Sequence, residues 1–245
     1  MASGSGTIEN VPRASRVGAI IVAAGSSSRM EKVDKTLLPL LGRSLFLHSL
    51  QEFNDSALVT RIVLVVSERN AYRCCQLVAQ NRFDKVIDIC VGGERRQDSV
   101  RRGLAMLGET EWTVVHDGAR PCVDGAMIET GLREARDTGA AVAAVPVKDT
   151  IKAVGTGRVV TETLDREGLW LIQTPQVFRT DLLTAAHEEV SEDVTDDASM
   201  LERCGHAVKV FMGSYDNVKV TVPEDVSIVE AVLRGRGRAV PRLAQ

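Results

Sequence analysis

The feature that most constrains the fold is an apolar run near the N-terminus that stops abruptly in small residues. Residues 17–24 (VGAIIVAA) are all apolar or glycine. A short, continuous run of this kind is typical of a strand that is covered on both faces of a parallel sheet. Gly25 and three serines at positions 26–28 follow at once. Because a small-residue loop after a strand leaves backbone N–H groups accessible, the pattern predicts an anion site there.

Two cations, Arg29 and Lys35, follow this loop. Cations beside a polyphosphate neutralise its charge and stabilise the charge that develops when it reacts. The loop therefore predicts a site for a nucleoside triphosphate, the alternative being a solvated loop with ordinary surface charges. A dinucleotide fingerprint needs three glycines and an acid at the end of the second strand, and a P-loop needs a GK[ST] motif. The loop has only Gly25 and lacks both patterns.

The bulk composition is that of an ordinary globular protein. The chain has 245 residues, of which 44% are hydrophobic and 26% are charged, with a net charge of −3. We therefore expect no sequence-independent binding to nucleic acid or to an acidic membrane surface, and no run reaches the length of about 20 apolar residues that spans a bilayer. The five cysteines lack metal-ligand spacing, so we expect reduced thiols in a cytoplasmic protein.

Strand and helix patterns alternate after the first run. This alternation predicts an α/β fold with a mainly parallel twisted sheet and helices on both faces. In such sheets the ligand crevice lies outside the carboxyl ends of the strands. The predicted strands after the first are residues 61–66, 86–90, 112–115, 140–145, 169–178, 208–212 and 217–221. The predicted helices are residues 45–53, 71–78 with Asn70 as the cap, 99–107, 124–136, 181–189, 196–204 and 224–233.

The α/β pattern is interrupted after residue 146. Residues 150–154 and 159–164 alternate around the turn GTGR, which predicts a two-stranded ribbon. A lone hairpin is barely stable in water, so we expect this β-arm, at about residues 147–172, to pack on another subunit.

The rest of residues 17–234 is predicted to form a single domain. Residues 1–16 are expected to be a disordered tail, and residues 235–245 a second tail.

Two motifs follow predicted strands and suit a nucleotide. In GGERRQDSV, residues 92–100, the glycines allow the backbone to approach a flat ligand; Ser99 could bind ligand or cap the helix, and Asp98 is the expected cap. In HDGARP, residues 116–121, Asp117 could bind ribose hydroxyls or a metal, or form an ion pair with Arg120. We expect His116 to make local hydrogen bonds and not to act as a general base.

Two later motifs combine one cation with threonines. They are LDREGLWLIQTPQVF, residues 164–178, and DNVKVT, residues 216–221. A cation among hydroxyl groups suits a phosphate monoester. Arg166 and Lys219 are therefore candidates for that role, although a solvent-facing lysine is the alternative for Lys219.

Taken in order, AAGSSSRM, GG with DSV, HDGARP, PVKDT, LDREGLW, QTPQ, TDDAS and NVKVT resemble one family from residue 17 to about residue 233. The chain is similar to the 2-C-methyl-D-erythritol 4-phosphate cytidylyltransferases of the non-mevalonate isoprenoid pathway. The resemblance implies a Rossmann-like nucleotidyltransferase fold with a protruding β-arm, and a homodimer in which each arm helps complete the partner's site. It also implies that CTP and methylerythritol phosphate react, with Mg²⁺, to give the CDP-alcohol and pyrophosphate. The metal would be held mainly by the CTP phosphates.

The resemblance also implies roles for individual residues. The implied catalytic residues are Arg29 and Lys35, at the α-phosphate, and Arg166 and Lys219, at the acceptor phosphate. The implied nucleotide-binding residues are Ala23, Ala24, Gly25, Ser26, Gly93, Glu94, Ser99, Asp117 and Ala119. The implied acceptor-binding residues are Arg120, Thr150, Thr174, Thr195 and Thr221. Thr150 and Arg166 lie in or beside the β-arm and are expected to serve the other subunit's site.

The expected nucleophile determines the mechanism. A phosphate monoester has a second pKa of about 6 and is largely dianionic at neutral pH, so it needs no general base. We therefore predict direct in-line displacement without a covalent enzyme intermediate. The nearest alternative is a cytidylyltransferase for another polyol phosphate, such as ribitol 5-phosphate, and LDREGLW favours methylerythritol phosphate over it. A dinucleotide-dependent oxidoreductase and a non-catalytic nucleotide sensor are more distant alternatives.

Overall fold

The structure is a computed structural model that describes residues 16–25 and 35–237. The strands are β1 Val17–Ala23, β2 Pro39–Leu40, β3 Arg43–Ser44, β4 Val59–Val66, β5 Val86–Val91, β6 Trp112–Asp117, β7 Ala140–Pro146, β8 Ile151–Val154, β9 Val160–Leu164, β10 Trp170–Arg179 and β11 Lys209–Met212. The helices are α1 Leu45–Asp55, α2 Ala71–Asn81, α3 Arg96–Leu107, α4 Gly125–Glu134, α5 Thr180–Glu189, α6 Asp197–Arg203 and α7 Glu224–Gly235.

Within the described residues, seven strands form the main sheet, in the order β11-β7-β10-β6-β1-β4-β5. The neighbouring strands pair in parallel, except that β10 runs antiparallel to both β6 and β7. Parallel strands that are covered on both faces read as continuous apolar runs, which is why β1, β4 and β7 are so apolar. The prediction of a mainly parallel α/β sheet is confirmed.

Helices cover both faces of this sheet. Successive residues of β1 point to opposite faces, so Ile21 packs in the cluster that holds Phe46, Phe53 and Ile128 of α1 and α4. Ile20 packs in the other cluster, with residues of α3, α5 and α6 such as Val100. The sheet therefore lies between two helical layers, and the turns after β1, β4, β5 and β6 share one edge.

Two local predictions are wrong. Residues 217–221 do not form a strand; they run beside the loop after β6, where Val220 N donates to Ala119 O at 2.8 Å. Alternation of apolar and polar residues is common to strands and to loops with one buried side. Helix α3 begins at Arg96 and not at Ser99, because Asp98 lies in its first turn and accepts a hydrogen bond from Arg95 N at 3.3 Å.

The interruption between β7 and β10 contains β8 and β9. These strands pair antiparallel in a two-stranded sheet of their own, and every residue of β9 is exposed. Strand β10 begins at Trp170, which pairs with Pro146 of β7, close to the predicted start at residue 169 and slightly before the predicted end of the β-arm at about residue 172. Most of the two predicted tails lies outside the described residues. Of the helices that the structure describes, none has the length and apolar character needed to cross a membrane.

Candidate active site

A cleft of about 840 Å³ opens at the edge of the sheet where β1 and β6 end. Its lining combines backbone, hydroxyl and charged groups from segments that are far apart in the sequence. The residues that line it are Val22, Ala23, Ala24, Gly25, Lys35, Thr36, Leu45, Gly93, Glu94, Arg95, Arg96, Ser99, Asp117, Gly118, Ala119, Lys219, Val220 and Thr221.

The segment that begins at Lys35 is held by hydrogen bonds to the end of β1 and to the DNVKVT motif, residues 216–221. Residues Lys35–Leu37 form a short 3₁₀ helix. Thr36 Oγ1 donates to Ala23 O at 2.7 Å, and Lys35 Nζ donates to Thr221 O at 2.8 Å. The lysine ammonium is thereby held at the cleft beside the carboxyl end of β1, where an anion would lie. Arg29 and Ser26 lie outside the described residues.

The turn after β5 places main-chain groups at the wall of the cleft. Gly93 N donates to Ser99 Oγ at 3.1 Å, and Ser99 Oγ donates to Arg95 O at 3.2 Å. A Cβ at Gly93 would lie 2.4 Å from the Cβ of Asp98, so the turn has room only for glycine. Glu94 is exposed at the same side. The edge of a planar base could be read by main-chain groups here.

Asp117 is the charge centre of the cleft. Its Oδ2 lies 2.6 Å from Lys219 Nζ and 3.9 Å from Arg120 Nε, and its Oδ1 lies 3.2 Å from Arg96 Nε. Burial alone would raise the pKa of Asp117, but the charges of Arg96, Lys219 and Arg120 outweigh burial and hold the pKa well below its usual value. Asp117 is therefore ionised at neutral pH, and Lys219 is partnered and not simply solvent-facing.

His116 is occupied by local hydrogen bonds beneath Asp117. Its Nε2 lies 3.1 Å from Arg120 O, and its Nδ1 lies 3.0 Å from Thr174 Oγ1. Since a carbonyl can only accept, Nε2 carries the hydrogen and Nδ1 accepts from the threonine hydroxyl. Burial lowers the pKa of His116 to about 4, so the ring is neutral at pH 7. Thr174 Oγ1 also accepts from Asp117 N at 3.0 Å.

Most of the predicted nucleotide-binding residues meet at the cleft, but most of the predicted acceptor-binding residues do not line it. Arg120 Nη1 donates to Asn217 O at 2.7 Å, and Thr174 is buried behind Asp117. Thr195 is exposed just before α6. Thr150 and Arg166 lie at the β8–β9 ribbon, where the Arg166 guanidinium donates to Lys148 O. Thr221 does line the cleft, and its backbone N and hydroxyl both donate to Asp225 Oδ2.

Sequence reasoning missed several residues of the lining. Arg95 and Arg96 stand next to the glycine pair, but two adjacent arginines read equally well as surface charges. Arg96 differs from its neighbour because Asp117 and Asp197, both distant in sequence, draw it inward. Thr36 and Gly118 had no signal beyond their place next to Lys35 and Asp117, and nothing in the sequence marked Leu45 as a site residue.

The sheet edge with Ala24 and Gly25, the ammonium groups of Lys35 and Lys219 and the buried acid Asp117 are the features of an α/β nucleotidyltransferase. The model of the 2-C-methyl-D-erythritol 4-phosphate cytidylyltransferase family matches residues 17–235. The chain belongs to this family.

Individual relatives agree with this assignment. A 2-C-methyl-D-erythritol 4-phosphate cytidylyltransferase from Dehalococcoides mccartyi is 47% identical over 223 residues, which cover 91% of this chain and 98% of that protein. A crystal structure of 4-diphosphocytidyl-2C-methyl-D-erythritol synthase from Anaerococcus prevotii is 28% identical, with a TM-score of 0.79 over 91% of this chain and all of that one. The corresponding Thermus thermophilus structure is 31% identical, with a TM-score of 0.76 over 89% of this chain and 99% of that one.

Proposed function

We propose that this cleft transfers CMP from CTP to 2-C-methyl-D-erythritol 4-phosphate, releasing pyrophosphate, in non-mevalonate isoprenoid biosynthesis. The observation that carries the proposal is the meeting of four separately predicted segments around one cleft, represented by Lys35, Gly93, Asp117 and Lys219. Membership of the family favours methylerythritol phosphate over ribitol 5-phosphate as the acceptor.

The nucleotide half of the site comprises β1, the first loop and the turn after β5. The backbone of Ala23, Ala24 and Gly25 would line the triphosphate, with Ser26 continuing the same loop. Gly93, Glu94 and Ser99 would read cytosine and its neighbourhood, and Asp117 and Ala119 would face the ribose. Lys35, together with Arg29, would stabilise the charge that develops at the α-phosphate. A cation that is already held at the cleft, as Lys35 is, needs no reorganisation during the reaction, which makes it effective there.

The acceptor half is built around Lys219. Lys219 and Arg166 would hold the acceptor phosphate, and Arg120, Thr150, Thr174, Thr195 and Thr221 are proposed to hold or shape the rest of that pocket. The acceptor is a dianion whose oxygen attacks the α-phosphorus as pyrophosphate leaves. No proton has to be removed, and the engagement of His116 in local hydrogen bonds agrees with this. Catalysis then rests on positioning and electrostatic stabilisation.

Mg²⁺ is proposed as the cofactor. In the described ranges, no group of three or more His, Cys, Asp or Glu side chains is arranged to hold a metal ion. Asp117 is ionised and faces the cleft, but both of its oxygens already contact cations. The residues therefore fit an ion that is held mainly by the phosphates of CTP. When bound, Mg²⁺ would neutralise charge on the triphosphate.

A homodimer formed through the β8–β9 ribbon is proposed from the exposed apolar surface there. Val154, Val159 and Val160 are each more than half exposed, although a two-stranded sheet without a core is marginally stable alone. A second copy of the chain would cover these side chains. Arg166 and Thr150, which sit at this ribbon, would then contribute to the partner's cleft.

A turnover assay tests the activity directly. Purified protein with CTP, Mg²⁺ and methylerythritol phosphate should release pyrophosphate and form the CDP-alcohol, whereas ribitol 5-phosphate should react far more slowly. Pyrophosphate release without acceptor, or recovery of a cytidylyl-enzyme from labelled CTP, would exclude single displacement. A higher kcat/KM with ribitol 5-phosphate would contradict the proposed acceptor.

Mixed dimers test whether Arg166 acts in the partner's site. Arg166→Ala and Lys219→Ala should each be nearly inactive alone. If Lys219 serves its own cleft and Arg166 the partner's, each mixed dimer has one intact site. Equal mixing with subunit exchange should therefore restore about one quarter of the wild-type rate, because half of the dimers are mixed and each has one working site of two. No recovery would place both residues in the same site.

A further inference from the structure

A chain of alternating charges runs from helices α5 and α6 to the cleft. At its buried end, His187 Nε2 lies 3.5 Å from Asp197 Oδ1. Asp197 Oδ2 lies 2.6 Å from Arg96 Nη1, and Arg96 Nε lies 3.2 Å from Asp117 Oδ1. The chain ends in the cleft, where Asp117 Oδ2 lies 2.6 Å from Lys219 Nζ. Every contact joins opposite charges, or a carboxylate and an imidazole.

Arg96 joins two carboxylates through two different nitrogens of its side chain. Its planar guanidinium presents donors at fixed angles, and Nε and Nη1 reach Asp117 and Asp197 respectively. Asp197 is completely buried, and a buried carboxylate is costly unless it is paired. Burial would raise the pKa of Asp197, but Arg96 and His187 outweigh burial and lower it. Asp197 therefore stays charged and anchors Arg96.

The two oxygens of the Asp117 carboxylate connect Arg96 to Lys219. Arg96 holds Oδ1 of Asp117, which fixes the rotation of the carboxylate and directs Oδ2 towards Lys219. We propose that Arg96 and Asp197 are positioning residues, which place the ammonium of Lys219 by orienting Asp117. This inference rests on the proposed role of Lys219 at the acceptor phosphate.

A competing explanation is that Arg96 merely attaches α3 to the start of α6, where Asp197 lies. The next residue, Gln97, already makes such an attachment: its Nε2 donates to Glu192 O at 2.9 Å, and its Oε1 accepts from Val194 N at 3.1 Å. Gln97 is buried, and both of these hydrogen bonds go to main-chain atoms and not to the charged groups that link Asp197 to Lys219. Gln97→Ala is therefore a matched control for loss of attachment alone.

A double-mutant cycle separates the two explanations. Arg96→Lys keeps the charge but offers one nitrogen in place of the two, Nε and Nη1, that reach Asp117 and Asp197. By analogy with residues that orient metal ligands, we expect it to lower kcat/KM for methylerythritol phosphate about 10- to 100-fold. In a Lys219→Ala background the same change should cost no more than about twofold, because the group it positions is gone. Gln97→Ala should cost the same factor in both backgrounds.

Each outcome of the cycle is decisive. An equal cost of Arg96→Lys in both backgrounds would overturn the positioning role while leaving the role of Lys219 intact. If Lys219→Ala did not change kcat/KM, the proposed function of Lys219 and this inference would both fail. If Arg96→Lys does not fold, Asp197→Asn takes its place in the cycle, since it keeps the side-chain shape and removes the anchoring charge. Wild-type kinetics in a folded Asp197→Asn protein would overturn the inference as well.

Discussion

Lys35 Nζ donates a hydrogen bond to the main-chain carbonyl of Thr221 at 2.8 Å, across 186 residues of sequence. The carbonyl belongs to a segment that is itself fixed, because Asp225 Oδ2 accepts from Thr221 N at 2.6 Å and from Val222 N at 3.0 Å. The beginning of the domain and its last motif thus share one wall of the cleft. A lysine held in this way presents its charge from a defined place and loses little freedom when an anion binds.

Replacing Lys35 with alanine should mainly lower kcat. If its ammonium stabilises charge at the α-phosphate, the loss should resemble that of an oxyanion-hole donor, about 100- to 1,000-fold or about 2.7–4 kcal/mol. Steady-state pyrophosphate release measures this directly. Lys85 offers a matched control, because it is also half-buried and its Nζ donates to a main-chain carbonyl, Ser56 O, at 2.5 Å. Near-wild-type kcat in Lys35→Ala, or an equal loss in Lys85→Ala, would contradict the assignment.

The sequence predicted the sheet well because buried parallel strands carry their own signal. The residues of β1 are apolar at successive positions, since helices cover both faces of the strand. This pattern can be recognised within the segment itself, without knowledge of its tertiary contacts. The same holds for the cleft residues at the ends of strands, such as Asp117, and on the turns that follow them, such as Gly93. Their position at one sheet edge follows from the parallel topology.

Other features depend on contacts that a linear pattern does not encode. Arg96 looks like Arg95 in the sequence, and its contacts with Asp117 and with Asp197, 101 residues further on, distinguish it. The segment 217–221 alternates like a strand, but its Val220 pairs with a loop residue, Ala119, and no ladder forms. Asp98 has the chemistry of a cap, but a place in the first turn of α3 also suits it. Tertiary context decided each of these cases.

Gly93→Ala should weaken nucleotide binding. The new Cβ would lie 2.4 Å from Asp98 Cβ, so the turn must move away from its present place against the cleft. A displacement of about 1 Å can cost up to about 100-fold in catalytic efficiency, and here we expect it as a higher KM for CTP. Gly125→Ala is the control, because a Cβ at that first residue of α4 would meet nothing within 4 Å. An unchanged KM for CTP in Gly93→Ala would show that the turn does not contact the base.

Removal of divalent metal should stop turnover, and Mg²⁺ should restore it. Since the described residues contain no cluster of three or more metal-ligating side chains, the ion should enter with the nucleotide. Calorimetry should therefore detect strong binding of Mg²⁺ only when CTP is present. Tight binding of Mg²⁺ to the protein alone would reveal a protein-borne metal site and would contradict the proposed arrangement.

His116 should make stability depend on pH in a defined window. Burial lowers the pKa of its ring from 6.5 to about 4, so as the pH falls the unfolded chain takes up this proton first. The free energy of unfolding should therefore decrease as the pH falls from about 6.5 to about 4, by about 3 kcal/mol from this group. Urea unfolding at several pH values should show a smaller decrease in His116→Gln. Above pH 7 neither state binds that proton, so the wild-type and variant curves should run parallel. Equal slopes below pH 6 would mean that His116 becomes protonated in the folded protein, contrary to its hydrogen bonds to Arg120 O and Thr174.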